Sequence, residues 1–271
     1  MRVVFFGSGE FGVPSLRWLI NSPHEVALVV TQPDRPAGRG KRTSPTPLAE
    51  RAEAEGLPVV RCADVNTPAF IEQVAALRAD LGIVIAFGQK ILGPLRAAFA
   101  GECVNLHASL LPKHRGAAPI ASAILAGDEK TGVSVFRLVD RMDAGPVLVR
   151  RETMIGPEEA CGDLHDRLAR IGCDAIDATM RLLSSDLHAP GEPQDESLAT
   201  RAPKLKKSDG FLRFDQPAEV IARRCRAMWP WPGARCRYVA KDGHSEEVTL
   251  AAVTAVPGVV AGPPGAITPV L

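Results

Sequence analysis

The chain has 271 residues, enough for one large domain and a smaller one. Hydrophobic residues make up 46% and the formal net charge is +1, so a packed core is expected. The overall charge points to no nucleic-acid partner; such a case must rest on local clustering. Six scattered cysteines, Cys62, Cys103, Cys161, Cys173, Cys225 and Cys236, form no CxxC pair and no zinc-type spacing. They read as reduced thiols, with no metal site. No stretch approaches the ~20 apolar residues of a membrane span, and the first apolar run is too short for a secretion signal. A cytoplasmic, monomeric protein without membrane contact is expected.

Arg2–Phe6 is a strand-like run ended by Gly7 and Gly9, and Pro14 suits the first turn of a helix whose apolar face is Leu16, Leu19 and Ile20. Glu25–Val30 is a second strand-like run, followed by a Pro/Gly/Arg-rich loop, Gln32–Pro45. Thr46-Pro47 and Thr67-Pro68 have the form of an N-cap followed by a first helical residue. Leu81–Ala86 and Cys103–Leu106 are buried-strand candidates, and the strand–helix alternation predicts an α/β domain with a mainly parallel sheet. Val133–Val139 and Val147–Arg151, joined by a short turn, predict a mixed end to that sheet, and Pro157–Leu183 reads as a long helix. Ser184–Ala202 is polar and carries Pro190, Gly191 and Pro193, as a linker would. Short β-type runs at Phe211–Phe214, Tyr238–Ala240 and Val248–Val253 then predict a small β domain. The expected division is 1–183, a linker at 184–207, and 208–271.

Gly7-Ser8-Gly9-Glu10-Phe11-Gly12 has the GxGxxG form of a dinucleotide-binding turn, with Asp34 near the end of the second strand. The alternative is that the glycines only make a tight strand–helix turn. Pro14 directly after them, and a richer constellation elsewhere, favour that alternative and predict no NAD.

The richer constellation is Cys103-Val104-Asn105-Leu106-His107-Ala108-Ser109-Leu110-Leu111-Pro112. Residues two apart on a strand share a face, so Asn105 and His107 point together. Two polar side chains leaving a buried strand near its C-terminal end are costly unless paired, and open α/β sheets bind ligands at that edge. The bland alternative is a satisfied core Asn and His. Asp143 lies in the turn between the two later β-type runs. A carboxylate beside His107 would orient the imidazole and raise its pKa above ~6.5. Asn105 and a protonated His107 could then donate to a developing oxyanion. With no obvious side-chain nucleophile, the trio suits direct attack of a substrate amine on an acyl donor.

Asn-x-His with Ser-Leu-Leu-Pro, then Arg115–Ile120 (Arg-Gly-Ala-Ala-Pro-Ile), then Asp143-Ala144-Gly145, closely resembles the folate-dependent formyltransferases. The resemblance extends from Met1 to about Gly233 and includes Thr31–Lys41 and Trp229-Pro230-Trp231-Pro232. It implies a Rossmann-like catalytic domain, 10-formyltetrahydrofolate as co-substrate, and catalytic roles for Asn105, His107 and Asp143. It implies folate contacts from Ser109, Leu110, Leu111 and Pro112, and from the chain around Phe87, Gly88, Val139 and Asp140. The second domain then corresponds to an OB-like barrel that looks incomplete at Leu271.

Within that family the chain is most similar to the branch whose acceptor is methionyl initiator tRNA. Arg35, Arg39, Lys41 and Arg42 stand in a Pro/Gly-rich loop suited to an acceptor end, and Lys204, Lys206 and Lys207 open a basic stretch suited to a phosphate backbone. Trp229 and Trp231, each followed by a proline, read as packing residues rather than base-stacking platforms. Phe136–Leu148 drifts toward the sugar-modifying relatives. A nucleotide-sugar or other small amine acceptor, or hydrolysis of the formyl donor, therefore stands as the alternative.

Overall fold

A computed structural model describes residues 1–37, 42–256 and 263–266, with the side chains of residues 36, 37 and 42 outside the description. The first apolar run forms β1 (Arg2–Gly7), and Pro14 occupies the opening turn of α1 (Val13–Ile20), which buries Leu16 and Leu19 completely. β2 (Glu25–Thr31) follows. The segment read as a plain loop carries two short antiparallel strands, β3 (Arg35–Ala37) and β4 (Arg42–Ser44). Both Thr-Pro pairs cap helices: Thr46 Oγ1 accepts from the Ala49 N–H at 3.2 Å to open α2 (Pro47–Ala54). After β5 (Val59–Arg61), Thr67 Oγ1 accepts from the Phe70 N–H at 3.4 Å to open α3 (Pro68–Ala76).

β6 (Leu81–Ile85), a short α4 (Gly93–Arg96) and β7 (Cys103–His107) come next. They are followed by β8 (Arg115–Gly116), α5 (Pro119–Ala126), β9 (Lys130–Arg137) and β10 (Val147–Met154). The long helix α6 (Cys161–Ser185) leads to β11 (Arg201–Ala202), α7 (Ala218–Met228), and a hairpin of β12 (Ala234–Val239) and β13 (Ser245–Leu250). Among the described residues no helix is long and apolar enough to cross a membrane.

Seven strands form one sheet in the order β10-β9-β7-β6-β1-β2-β5. β5, β2, β1, β6 and β7 run parallel and β9 is antiparallel to β7. This is the mainly parallel sheet that the alternation predicts, with the mixed end predicted by the two later β-type runs and the Rossmann-like form implied by the resemblance. Every residue of β6 is buried, as a continuous apolar run in a parallel sheet covered on both faces must be. Phe6 meets Phe87 and Phe99 edge-on, with centroids 5.5 and 6.1 Å apart, in one core cluster. The first glycine of the GxGxxG run, which ends β1, has a packing reason. A Cβ on Gly7 would stand 2.8 Å from both the Ile85 carbonyl oxygen and a Leu48 methyl.

The chain divides into two compact units. The first comprises Met1–Arg115, Gly132–Glu152 and Asp166–Arg201; the second comprises Gly116–Thr131, Thr153–His165 and Ala202–Leu271. Within the second, α5 packs on α7, and β12 pairs with β13 from Ala234↔Leu250 to Val239↔Ser245. Phe211–Phe214 is not a strand, contrary to expectation. It makes a single bridge, with the Leu212 N–H donating to the Arg235 carbonyl at 2.8 Å, and the Arg235 guanidinium covers the Phe211 ring at 4.6 Å. Trp229 and Trp231 are 38% and 56% exposed, more than packing residues would be.

Candidate active site

β7 alternates as its sequence requires. Cys103 is buried in the core cluster with Phe6 and Phe99, and the same face carries Asn105 and then His107 at the C-terminal end. Asn105 pairs across the sheet with Phe136 of β9, and His107 with Ser134. His107 is buried, whereas Asn105 keeps partial exposure and its side-chain amide makes no hydrogen bond among the described residues. A partly exposed amide that makes no hydrogen bond among the described residues is free to donate and fits a ligand oxygen.

Asp143 reaches this point by an indirect route. The turn after β9 starts beside the other end of β7, where the Leu138 N–H donates to the Cys103 carbonyl at 2.9 Å. It then returns far enough that Asp143 Oδ2 lies 3.8 Å from His107 Nδ1. Asp143 adopts a left-handed backbone, φ 51, which Asp tolerates better than most residues. Gly145 is held against β9 so closely that a Cβ there would overlap the Arg137 carbonyl. On the far side of the ring, His107 Nε2–H donates to the main-chain oxygen of His114 at 2.9 Å, and His114 is also left-handed, φ 57.

The imidazole is not what the sequence leads one to expect. Asp143 does favour its charged form, but burial outweighs that and holds the His107 pKa below 6.5. The expected elevation is therefore corrected: desolvation of a nearly enclosed ring exceeds one carboxylate that is not in hydrogen-bonding contact. His107 is neutral at neutral pH, with its hydrogen on Nε2 and the Nδ1 lone pair toward Asp143.

The Ser109–Pro112 segment is held by hydrogen bonds. Ser109 Oγ donates to the Lys113 carbonyl at 2.6 Å, Ser134 Oγ donates to the Ser109 carbonyl at 2.7 Å, and the Leu111 N–H donates to Ser134 Oγ at 3.1 Å. Leu111 is buried with Phe136 and Val147, Leu110 and Pro112 are half-buried, and the Leu111-Pro112 peptide is cis. Phe87 is core, and Gly88 beside it is exposed. Val139 and Asp140 are exposed on the turn. Arg96 Nη2 donates to Asp140 Oδ1 at 2.8 Å and lowers the pKa of that carboxyl.

Arg35 is exposed and donates to Gln32 Oε1 at 3.1 Å. Arg39 and Lys41 lie outside the described residues, and Arg42 is described only as backbone of β4. Lys204, Lys206 and Lys207 are exposed. Several neighbouring arginines hold the second unit together: Arg224 Nη2 donates to the Asp209 carbonyl at 2.6 Å and Arg235 Nη1 to Glu247 at 2.9 Å.

Three groups around the site are not singled out by the sequence. The His114 carbonyl is main chain and leaves no side-chain signal. Arg150 Nε donates to the Leu111 carbonyl at 3.2 Å, and Gln194 Nε2 donates to the Asp143 and Gly145 carbonyls at 2.9 and 2.7 Å. Only the Gln194 segment, with its Pro and Gly, is conspicuous, and it reads as linker.

Residues 1–179 match the family described as Formyl transferase, and residues 204–270 the family described as Formyl transferase, C-terminal domain. A methionyl-tRNA formyltransferase from Moorella thermoacetica is 42% identical over 254 residues, covering 94% of this chain and 80% of the relative. That of Methylococcus capsulatus is 46% identical over 234 residues, 86% of this chain and 76% of the relative. Among solved structures, a phosphoribosylglycinamide formyltransferase from Bacillus halodurans superposes with a TM-score of 0.57 at 26% identity, covering 68% of this chain and 96% of that one. An N-formyltransferase from Helicobacter canadensis, complexed with folinic acid and dTDP-3-aminofucose, gives 0.66 at 16% identity, over 83% and 79% of the two chains, which shows the fold alone.

Proposed function

Since the chain belongs to the formyl transferase family, we propose that it transfers the formyl group of 10-formyltetrahydrofolate to the amino group of methionyl initiator tRNA, as a cytoplasmic monomer. The observation that carries the choice of acceptor is identity. Relatives named methionyl-tRNA formyltransferase match at 39–46% along most of the chain, whereas sugar and ribonucleotide formyltransferases of solved structure stand at 15–26%.

In this reading the methionyl nitrogen attacks the formyl carbon held at the C-terminal end of β7. The Asn105 amide donates to the oxygen as it becomes an oxyanion. Neutral His107 takes the ammonium proton on Nδ1, and the Asp143 carboxylate stabilises the imidazolium so formed. The C–N bond to the folate breaks, and the proton passes from His107 to the departing nitrogen. Atoms and charge balance without another reactant. Ser109–Pro112, Phe87, Gly88, Val139 and Asp140 line the folate side. Arg35, Arg39, Lys41, Arg42, Lys204, Lys206 and Lys207 contact tRNA.

The test is formyl transfer from 10-formyltetrahydrofolate to purified methionyl initiator tRNA, with elongator methionyl-tRNA alongside. Formylation of the initiator alone is expected. Transfer to neither, with the folate still bound, would turn the assignment toward a small amine.

A further inference from the structure

The stretch Glu192–Thr200 reads as linker, yet its hydrogen bonds go to the two loops that carry the site. Glu192 exchanges main-chain bonds with Val147 at 2.8 and 2.7 Å, and its carboxylate accepts from Arg150 Nη1 at 2.6 Å. The same Arg150 holds the Leu111 carbonyl. Thr200 accepts the His114 N–H on Oγ1 at 2.8 Å and the Arg115 N–H on its carbonyl at 2.9 Å. Gln194 stands between these two anchors.

The orientation of the Gln194 amide follows from its partners. Its Oε1 accepts from Arg115 Nε at 3.1 Å and Nη2 at 2.7 Å. A guanidinium has only donors, so oxygen must face it. The NH2 then has two hydrogens, and two carbonyls await them: Asp143 at 2.9 Å and Gly145 at 2.7 Å. Arg115 is itself buried and locked by Glu196, with Nη1 and Nη2 each 2.9 Å from a carboxylate oxygen. The amide thus grips both ends of the short turn whose first residue is the left-handed Asp143. A left-handed non-glycine persists where its surroundings over-determine it, and this clamp does so.

We infer that Gln194 is a positioning residue for formyl transfer, clamping the Asp143–Gly145 turn so that the Asp143 carboxylate stands opposite His107. The inference rests on the catalytic reading above and extends it to a residue that touches no substrate.

Two variants test it. Gln194→Met removes both donated bonds without adding charge. Gln194→Glu retains an acceptor for Arg115 but has nothing to donate to the carbonyls. With either, kcat should fall by up to about 100-fold, as displacement of a reacting group by about 1 Å does, while KM for the folate donor stays within about two-fold of wild type. A second readout separates positioning from mere stability. In Gln194→Met the His107 protonation midpoint, followed by NMR, should move to lower pH, because Asp143 no longer supports the imidazolium. Wild-type kcat with an unmoved midpoint in Gln194→Met overturns the inference. If that variant does not fold, wild-type kcat in a folded Gln194→Glu overturns it instead. An absence of transfer by the wild-type chain would sink the functional reading, and the His107 midpoint would still decide the positioning.

Discussion

His107 Nε2 lies 2.9 Å from the main-chain oxygen of His114, an atom that can only accept, so this nitrogen carries a hydrogen in every protonation state. The ring is thereby fixed in one tautomer when neutral, and Nδ1, 3.8 Å from Asp143, is the nitrogen left to exchange a proton.

This sets a pH dependence. Burial lowers the His107 pKa from 6.5, so between the folded value and 6.5 the unfolded chain binds the extra proton. The stability this group contributes is therefore complete above 6.5 and is lost as pH falls below it. Activity should follow the neutral form. kcat/KM measured against pH is expected to stay level through neutrality and to fall on the acid side with a midpoint below 6.5. A midpoint at or above 6.5 would show that burial does not dominate the ring, and activity that instead falls as pH rises through the His107 midpoint would show that His107 acts as a cation.

Asn105→Ala removes an amide that has no structural partner among the described residues. Its cost should fall on the transition state, about 2.7–4 kcal/mol or roughly 100–1000-fold in kcat, as for loss of one oxyanion donor. Thermal unfolding should be close to wild type. Loss of stability with kcat unchanged would make Asn105 a structural residue.

Asp143 combines a charge with a left-handed backbone, and two substitutions separate them. Asp143→Asn keeps a residue type that tolerates φ above zero but removes the charge. Asp143→Ala removes the charge and adds roughly 1 kcal/mol of backbone cost. Both should nearly abolish turnover, as should His107→Ala, with the alanine at position 143 melting lower than the asparagine. Equal melting of the two Asp143 variants would mean that the strained conformation relaxes.

Gly145→Ala places a methyl group on the Arg137 carbonyl and must push the turn off β9. A destabilisation of about 1–3 kcal/mol is expected, of the size seen for overpacking, together with reduced kcat because Asp143 shares the turn. Calorimetry and steady-state kinetics on the same preparation check both, and full activity would show that the turn shifts without moving the carboxylate.

Binding of tRNA should weaken steeply with salt, with log K falling linearly in log salt in proportion to the phosphates contacted. Lys204→Ala, Lys206→Ala and Lys207→Ala should each flatten that slope by about one unit at most if the residue meets a phosphate. An unchanged slope in the triple variant would remove this stretch from the interface.

Much of this molecule was legible locally. The alternation in Cys103–His107 was enough to put Asn105 and His107 on one face, because the period of a strand is a property of its own backbone. The two Thr-Pro pairs announced their helices for the same reason, since a cap is satisfied within three residues. The parallel sheet followed from the alternation of such elements. Other features depended on distant parts of the chain meeting. That Asp143 returns from beside Cys103 to face His107 depends on how the β9–β10 turn is held, and its holders, Gln194 and Arg115, are 51 and 79 residues distant from their partners Asp143 and Gln194. The same holds for Glu192–Thr200, whose polar composition suggested a tether and whose partners make it a brace. The sign of the His107 shift is beyond the sequence because a carboxylate neighbour can be read from it, whereas desolvation is the sum of everything packed around a ring and exists only once the tertiary structure has closed over it.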